Sequence, residues 1–215
     1  MKKVIIIGAG GHAAELVDYI DYINNSSENL KFEVFGLIDD IKDNYSHYEY
    51  NHAYLGTIDD HVIDKNINYL MAIADSSTRK MIVEKFKSKG AQFIGLIHPT
   101  ALISNSAKIG EGVVISHNVS IGPKVVIGDF NVLNSRSTIG HDSIIGDYNF
   151  ISPQVAIGGF VKIADENLLG TNSGILPNIK IGNNNKVAAG MVLDKPINDN
   201  ETIFYRFKEK LIVRN

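Results

Sequence analysis

Two short stretches of the sequence carry residue types that could do chemistry. Residues 8–13 read GAGGHA and fit the pattern G-x-G-x-x-G/A, in which a tight turn brings the backbone close to a phosphate at a helix N-terminus. The second stretch is His141-Asp142, which interrupts a run of aliphatic and small residues. The alternatives are a strand-to-helix turn that merely needs glycine and an exposed histidine on a surface corner.

The elements around the glycine turn predict an α/β domain. Strand and helix patterns alternate over the first hundred residues, as expected for a βαβ unit. Strands are predicted at 3–8, 33–38, 69–74 and 93–97, helices at 11–25 and 77–89, and a loop at 39–62 with at most a short strand near Tyr54 and Leu55. A complete dinucleotide domain has about six strands, so this half domain favours a mononucleotide or an attached sugar over NAD.

A strict six-residue period governs the rest of the chain. Every sixth residue from Ile103 to Leu193 is Ile, Leu or Val, and the following residue is usually small. Neither helix nor hairpin periodicity explains this pattern, whereas a solenoid of hexapeptide repeats does. With three faces in each coil, residues 18 apart stack, and the repeat predicts about five coils, or ~24 Å of solenoid.

This stacking rule places the histidines. His141 lies between Pro123 and Gly159 on the neighbouring coils, and the glycine leaves space over the imidazole in which a substrate could lie. His117 lies four hexads away and therefore on another face, and His98 at the domain junction is interpreted as a structural cap. The sequence lacks the closely spaced histidine pair that a metal site in a β-helix would use, so no metal is predicted.

Composition narrows the functional classes. The 215 residues, 44% hydrophobic and 21% charged, allow one large or two small folded domains. A net charge of −3 and a pI near 6.1 argue against a nucleic-acid partner. The absence of cysteine excludes disulfides and zinc-thiolate sites, and the short apolar run at the start predicts neither a targeting segment nor a membrane span. A cytoplasmic location is expected.

The two halves together resemble one family, the hexapeptide-repeat sialic acid O-acetyltransferases and nucleotide-amino-sugar N-acetyltransferases (NeuD/PglD-like). The resemblance is carried by GAGGHA, Ile38-Asp39-Asp40, the stretch 72–75 with Arg79, His98-Pro99, the stretch 140–142, and the stretch 170–173 before Leu176-Pro177. It implies a half-Rossmann βαβαβ domain over 1–98, a left-handed parallel β-helix over 99–198 and a tail over 199–215. It also implies a homotrimer with active sites at subunit interfaces.

The resemblance implies roles for particular residues. His141 matches a general base that acts while the acceptor attacks acetyl-CoA, and Asp142 matches its acidic neighbour, with Asp147 as a rival carboxylate. The family's acetyl-CoA contacts fall on Phe150, Gly159, Thr171 and Ala189, and Gly159 matches a backbone N–H that faces the thioester carbonyl. The nucleotide-sugar contacts fall on Gly10, Gly11, His12, Asp39, Asp40, Ala74 and Asp75.

Two departures from the family are visible. Phe150 replaces a histidine that touches the acetyl group in some members, and residues 205–210 replace the usual G-x-P-A-K, of which only the last lysine remains. The predicted activity is N-acetylation of a nucleotide-linked amino sugar, such as a UDP-4-amino-4,6-dideoxy sugar, for a surface glycan. O-acetylation of sialic acid or a related sugar, and a non-catalytic trimeric scaffold, remain alternatives. The short first half argues against an NAD-dependent oxidoreductase.

Overall fold

A computed structural model describes residues 1–26 and 31–205, and its first part is a parallel α/β sheet. Four strands lie in the order β2-β1-β3-β4. The elements are β1 (Lys2–Ile7), α1 (Gly11–Ser26), β2 (Phe32–Ile38), α2 (Lys42–His47), β3 (Asn68–Met71), α3 (Ser76–Ser88) and β4 (Gln92–Phe93).

Burial explains the main elements of this domain. The last four residues of β1 are buried, as expected for a central parallel strand with both faces covered. Helix α1 buries Ala13, Leu16, Ile20 and Ile23, whose spacing of three and four residues forms one apolar face. Helix α3 begins after Asp75, whose carboxylate accepts the Thr78 N–H at 2.8 Å and so satisfies a donor of the first turn.

Two predicted elements differ from the structure. The stretch 39–62 was expected to be a loop, but it contains the short helix α2, which has no buried residue and therefore no apolar pattern to reveal it. The expected short strand is present as a parallel bridge between Leu37 and Tyr54. The single strand predicted at 93–97 is wrong. Strand β4 pairs with β3, whereas β5 (Leu96–Ile97) belongs to the solenoid.

The solenoid consists of two-residue strands, which are separated by four-residue corners as far as Leu193. After β5 they are β6 (Leu102–Ile103), β7 (Lys108–Ile109), β8 (Val114–Ile115), β9 (Ser120–Ile121), β10 (Val126–Ile127), β11 (Val132–Leu133), β12 (Thr138–Ile139), β13 (Ile144–Ile145), β14 (Phe150–Ile151), β15 (Ala156–Ile157), β16 (Lys162–Ile163), β17 (Leu168–Leu169), β18 (Gly174–Ile175), β19 (Lys180–Ile181), β20 (Lys186–Val187), β21 (Val192–Leu193) and β22 (Thr202–Ile203).

These strands form three parallel sheets. The docking sheet has the order β22-β20-β17-β14-β11-β8-β5, the second sheet β21-β18-β15-β12-β9-β6, and the third sheet β19-β16-β13-β10-β7. Up to β21, paired residues lie 18 positions apart, as Leu133 does from Ile115 and Ile151, which confirms the predicted stacking. The last pair, β20 with β22, is spaced by 16 positions. Strand pairing extends from Leu96 to Ile203, and residues 206–215 of the predicted tail lie outside the described residues.

The three corners of each coil are named here by their position. The first corner, such as 134–137, leads from the docking sheet to the second sheet. The second corner, such as 140–143, leads to the third sheet, and the third corner, such as 146–149, leads back to the docking sheet. From 118 to 184, every sixth residue has a left-handed φ near +60°, so each corner turns at the same place.

Polar columns hold successive coils together at the third corner. The side-chain oxygens of Asn131, Asn149 and Asn167 each accept the backbone N–H of the asparagine 18 residues later, at 2.8–2.9 Å. Because these buried amides lie between coils, they satisfy backbone donors that the short strands leave unpaired. The asparagine column therefore helps to fix the register between successive coils, together with the stacked aliphatic residues of the interior.

The α/β domain packs directly on the docking sheet. Leu96, Val114 and Val132 project outward from this sheet into the core around β1 and α1. The chain's own first domain covers Val114, which is 1% exposed and needs no cover from a neighbouring subunit. On the third sheet, Val126 and Ile144 remain 39% and 45% exposed.

One buried arginine joins the two domains. The Arg79 guanidinium donates to Ala74 O and to Tyr148 O, both at 2.7 Å, and so links the end of the α/β sheet to the third corner. Burial lowers the pKa of Arg79 to about 10. Among the described helices, none combines the length and hydropathy needed to cross a bilayer.

Candidate active site

His141 and Asp142 lie on a second corner, directly after β12. The His141 Nδ1 and an Asp142 carboxylate oxygen are 2.8 Å apart, and the side chains are 56% and 32% exposed. The left-handed φ of 59° at Asp142 turns the chain at this point. The two side chains therefore form an accessible imidazole–carboxylate pair, in which the aspartate holds one ring nitrogen and leaves the other for a reacting group.

The neighbouring coils hold the pair as the repeat predicts. The Asp142 N–H donates to Pro123 O at 2.9 Å, and the Phe160 N–H donates to His141 O at 3.0 Å. A Cβ atom on Gly159 would lie 3.0 Å from His141 Cε1 and Nε2, so the imidazole occupies the space that the missing side chain leaves. The space predicted above the ring is thus taken up by the ring itself, which lies against Gly159.

Other candidate groups are engaged elsewhere. The Asp147 carboxylate accepts the Asp129 N–H at 2.7 Å within a column at the third corner, away from His141. The Tyr19 hydroxyl and His117 Nδ1 are 3.1 Å apart at a first corner, on another face as predicted. Buried His98 contacts the ring of Tyr19, and burial lowers the pKa of His98, as expected for a junction residue.

The glycine turn joins β1 to α1. Gly8 has a φ of +105°, which a residue with a side chain rarely adopts. Gly10 O accepts the Ala14 N–H at 3.1 Å, so the first helical N–H groups have no acceptor one turn earlier. The Tyr50 hydroxyl donates to Ala9 O at 3.0 Å and holds the turn from outside. The turn therefore presents a helix N-terminus that suits an anion.

The acidic pair after β2 is engaged with the protein backbone. Asp39 is 8% exposed, and its carboxylate accepts the N–H groups of Ala9 and Ile41 at 2.7 and 2.8 Å. Asp40 accepts the Ile58 N–H at 2.8 Å. Both carboxylates therefore hold the loops at the end of the sheet through backbone hydrogen bonds. Their contact with a nucleotide stays a prediction.

A cleft of about 630 Å³ separates the glycine turn from the solenoid. It brings together four residues singled out from the sequence: Gly11 and His12 on one side and Phe150 and Thr171 on the other. The remaining lining residues were not predicted: Ala14, Glu15, Asp18, Tyr48, Asn134, Ser152 and Pro153. Glu15 lies about one helical turn after His12 on α1, so its spacing could have indicated that both side chains face the same site. The other unpredicted lining residues reach the cleft only because of how the two domains pack.

Three of the lining side chains define the chemistry of the cleft: His12, Glu15 and Tyr48. His12 Nδ1 lies 3.3 Å from a Glu15 carboxylate oxygen, and this hydrogen bond lowers the pKa of Glu15. His12 Nε2 is buried without a hydrogen-bond partner in the described part of the chain. The Tyr48 hydroxyl lies 2.8 Å from where a Cβ of Gly11 would stand, so glycine there makes room for this ring. The cleft thus combines an unpaired ring nitrogen of His12 with the aromatic ring of Tyr48.

Ala74 and Asp75 lie at a separate, smaller cavity of about 200 Å³, which shares Phe150 with the cleft. Hydrogen bonds from Thr78 and Ser77 lower the pKa of Asp75 to about 2, so the carboxylate is charged at neutral pH. Lys186 lines the same cavity. The cleft and this cavity therefore lie on either side of Phe150, where the α/β domain meets the solenoid.

The predicted residues fall into two groups within one chain. His141 and Gly159 stack on the second corner, whereas Thr171 and Ala189 stack on the first corner, where Gly190 N–H donates to Thr171 O. The cleft opens at the first corner. A single chain therefore does not bring the imidazole to the cleft. In the described residues, no group of three His, Cys, Asp or Glu side chains is arranged to hold a metal ion.

Comparison with known proteins agrees with this architecture. Residues 3–86 match the family model of the PglD N-terminal domain, and residues 94–203 match that of the GMPPB C-terminal domain. WeeI from Acinetobacter baumannii AYE superposes with a TM-score of 0.80 at 23% identity, covering 94% of this chain and 96% of that chain. PerB from Caulobacter crescentus, in complex with CoA and GDP-perosamine, gives 0.79 at 24% identity, covering 94% and 93%.

One curated relative is the UDP-N-acetylbacillosamine N-acetyltransferase of Bacillus subtilis (strain 168), which is 29% identical over 120 residues. The match covers 54% of this chain and about half, 51%, of that relative. An α/β domain packed on a left-handed parallel β-helix confirms the predicted fold and defines the class of two-domain hexapeptide-repeat proteins. Within that class, the matches confirm the predicted resemblance to the NeuD/PglD-like family.

Proposed function

We propose that the protein is an acetyl-CoA-dependent N-acetyltransferase that acts on a nucleotide-linked amino sugar. The observation that carries this proposal is the exposed His141–Asp142 pair, with its imidazole seated on Gly159. The relatives support this proposal, since the Bacillus subtilis protein is a UDP-N-acetylbacillosamine N-acetyltransferase and the PerB structure is a complex with CoA and GDP-perosamine. We further propose a cytoplasmic enzyme of surface-glycan synthesis.

The pair can serve as the general base of acetyl transfer. The sugar amine attacks the thioester carbonyl, an N–C bond forms, the C–S bond breaks, and the amine proton passes to His141 Nε2. Asp142 stabilises the resulting imidazolium through Nδ1, and that proton is then available to the departing thiolate. The Gly159 N–H makes no hydrogen bond within the described residues, so it can donate to the developing oxyanion.

The cleft is our proposed site for the nucleotide-sugar. The first turn of α1 offers unpaired N–H groups to the phosphates, with Gly10, Gly11 and His12 at the turn. Ala74 and Asp75 extend this surface beyond Phe150. Isothermal calorimetry should show binding of a nucleotide-sugar and none of NAD. Tight NAD binding would contradict this part of the proposal.

A homotrimer would complete the site. Because His141 and the cleft lie on different corners of one solenoid, a neighbouring chain must bring its first corner to the second corner of this one. The donor would then lie between the two solenoids, near Gly159 of one chain and Thr171 and Ala189 of the next. Light scattering should give about three times the 23.6 kDa chain mass, and a monomer at micromolar concentration would overturn this assembly.

The activity itself is tested by thiol release from acetyl-CoA across a panel of nucleotide-amino-sugars and sialic acid, with product masses. We expect an N-acetylated nucleotide-sugar. An O-acetylated sialic acid would identify the alternative activity, and no product with any acceptor would support a non-catalytic scaffold. His141→Ala should lower kcat by about 10²–10⁴-fold while the circular dichroism spectrum is retained, because the base is removed and the aliphatic interior is untouched.

A further inference from the structure

Three aromatic residues occupy left-handed corner positions of the solenoid. Phe130, Tyr148 and Phe160 have φ values of 54°, 57° and 58°. Left-handed backbone is unfavourable for residues with bulky side chains, whereas asparagine, aspartate and glycine tolerate it. The other left-handed corners between 118 and 184 hold polar residues: asparagine at 118, 172, 178 and 184, and charged or amide side chains at 124, 136, 142, 154 and 166. The three aromatic residues are the exceptions to this polar pattern, and each makes a ring contact with a neighbouring aromatic or histidine ring.

Domain packing explains the first two aromatic residues. Phe130 is 1% exposed and meets the ring of Phe93 at 5.2 Å in an edge-on arrangement. Tyr148 stacks on Phe130 with ring centroids 5.4 Å apart, and Tyr148 O accepts the Arg79 hydrogen bond. Both rings lie at the third corner, under the α/β domain. Their burial offsets the unfavourable backbone conformation.

Phe160 has no such cover. Its side chain is 51% exposed on a second corner, and its ring meets the imidazole of His141 at 5.1 Å with an interplanar angle of 87°. His141 is consequently restrained on three sides: by Asp142 at Nδ1, by Gly159 beneath the ring and by Phe160 at its flank. Nε2 makes no hydrogen bond within the described residues and stays available.

We propose that Phe160 is a positioning residue for His141. Its ring keeps an otherwise exposed imidazole in the rotamer that pairs Nδ1 with Asp142. Phenylalanine is unfavourable in the left-handed conformation of this corner, and its contact with His141 explains why it is present there. The contribution to catalysis rests on the function proposed above, whereas the restraint on the imidazole does not. This role predicts that stability and activity respond in opposite directions when Phe160 is replaced.

The test uses Phe160→Asn, with Phe160→Tyr and Gln154→Asn as matched controls. Asparagine tolerates the left-handed conformation, so the Tm of Phe160→Asn should equal or exceed that of the wild type. Its kcat should fall about 2- to 12-fold, the range expected for losing one aromatic pair, with the KM for acetyl-CoA nearly unchanged.

Phe160→Tyr should keep kcat within about twofold of the wild type, because tyrosine retains the aromatic ring. Gln154 occupies an exposed left-handed position on a first corner, with a φ of 60°, so Gln154→Asn controls for the effect of asparagine at such a position on Tm.

The outcomes separate positioning from a purely structural role. A Phe160→Asn protein that loses both Tm and kcat, or loses neither, overturns the proposal. Imidazole ¹⁵N NMR of His141 provides a readout that needs no substrate. The wild type should show one dominant tautomer with Nδ1 protonated, and Phe160→Asn a mixture of tautomers. If the wild type acetylates nothing, the proposed function fails and the NMR comparison still decides whether Phe160 restrains His141, with identical spectra counting against it.

Discussion

Replacing Gly159 with alanine should reduce activity without harming the fold. Gly159 does not have a left-handed φ, so alanine can adopt its backbone conformation. The added methyl carbon would stand 3.0 Å from His141 Cε1 and Nε2 and 3.4 Å from Cδ2, which is closer than ordinary van der Waals contact. The imidazole is largely exposed and can move away, whereas the solenoid backbone cannot.

The magnitude follows from that displacement. Moving the ring by a few tenths of an ångström to about 1 Å misplaces the base, and a 1 Å misplacement costs about 10²-fold in rate. We therefore expect kcat to fall about 10- to 100-fold in Gly159→Ala. Stability should be retained or rise by up to about 1 kcal/mol, because alanine restricts the unfolded chain. The Gly159 N–H is retained, so the loss reports on the imidazole rather than on an oxyanion contact.

The assay is the initial rate of thiol release with a confirmed acceptor at saturating acetyl-CoA, together with a thermal melt. Gly174→Ala is the matched control, because a Cβ there would meet nothing within 4 Å and Gly174 lies on the second sheet away from His141. It should keep wild-type kcat. A folded Gly159→Ala enzyme with kcat within twofold of the wild type would refute the position assigned to the imidazole.

Three further predictions concern stability. Arg79→Met should cost about 2–4 kcal/mol in urea denaturation because two short hydrogen bonds from a buried guanidinium to backbone carbonyl groups are lost, whereas Lys87→Met, which breaks a surface ion pair across the same junction, should cost less than about 1 kcal/mol. Equal losses would contradict the role of Arg79. Asp75→Asn should leave Tm unchanged because asparagine caps a helix equally well, and Asp75→Ala should cost about 1 kcal/mol by thermal melting. Because burial lowers the pKa of His98 in the folded protein, the unfolded chain protonates first, and stability should fall as pH is lowered from about 6.5 through that lowered pKa. The slope of urea midpoint against pH should be smaller in His98→Gln, and an equal slope would show that another group is responsible.

Local patterns in the sequence were sufficient to predict most of the architecture. The six-residue period predicts where the strands lie, because an aliphatic residue must point into the interior once in each hexad. Three hexads form one coil, so the same period also predicts that residues 18 positions apart stack. That register alone placed His141 between Pro123 and Gly159, and the structure agrees. Helices α1 and α3 followed in the same way from apolar spacing and from the cap at Asp75.

Contacts between distant parts of the chain were not predictable in this way. Cover for Val114 comes from the α/β domain, and the two-domain cleft depends on how α1 packs on the first corner. The carboxylate of Asp39 looked available in the sequence, but it caps backbone groups of the glycine turn. The contact of Phe160 with His141 lies one coil away and has no signature beyond an unusual residue at a corner.

The 18-residue coil also constrains how the gene for such a protein can change in length. Adding or removing one whole coil leaves every later residue on the same corner and shifts it by only about 4.8 Å along the solenoid axis. Adding or removing a single hexad moves every later residue to the next corner, so a change between His141 and Gly159 would separate the imidazole from the glycine beneath it. Duplication and deletion should therefore be tolerated in steps of three hexads rather than in steps of one or two.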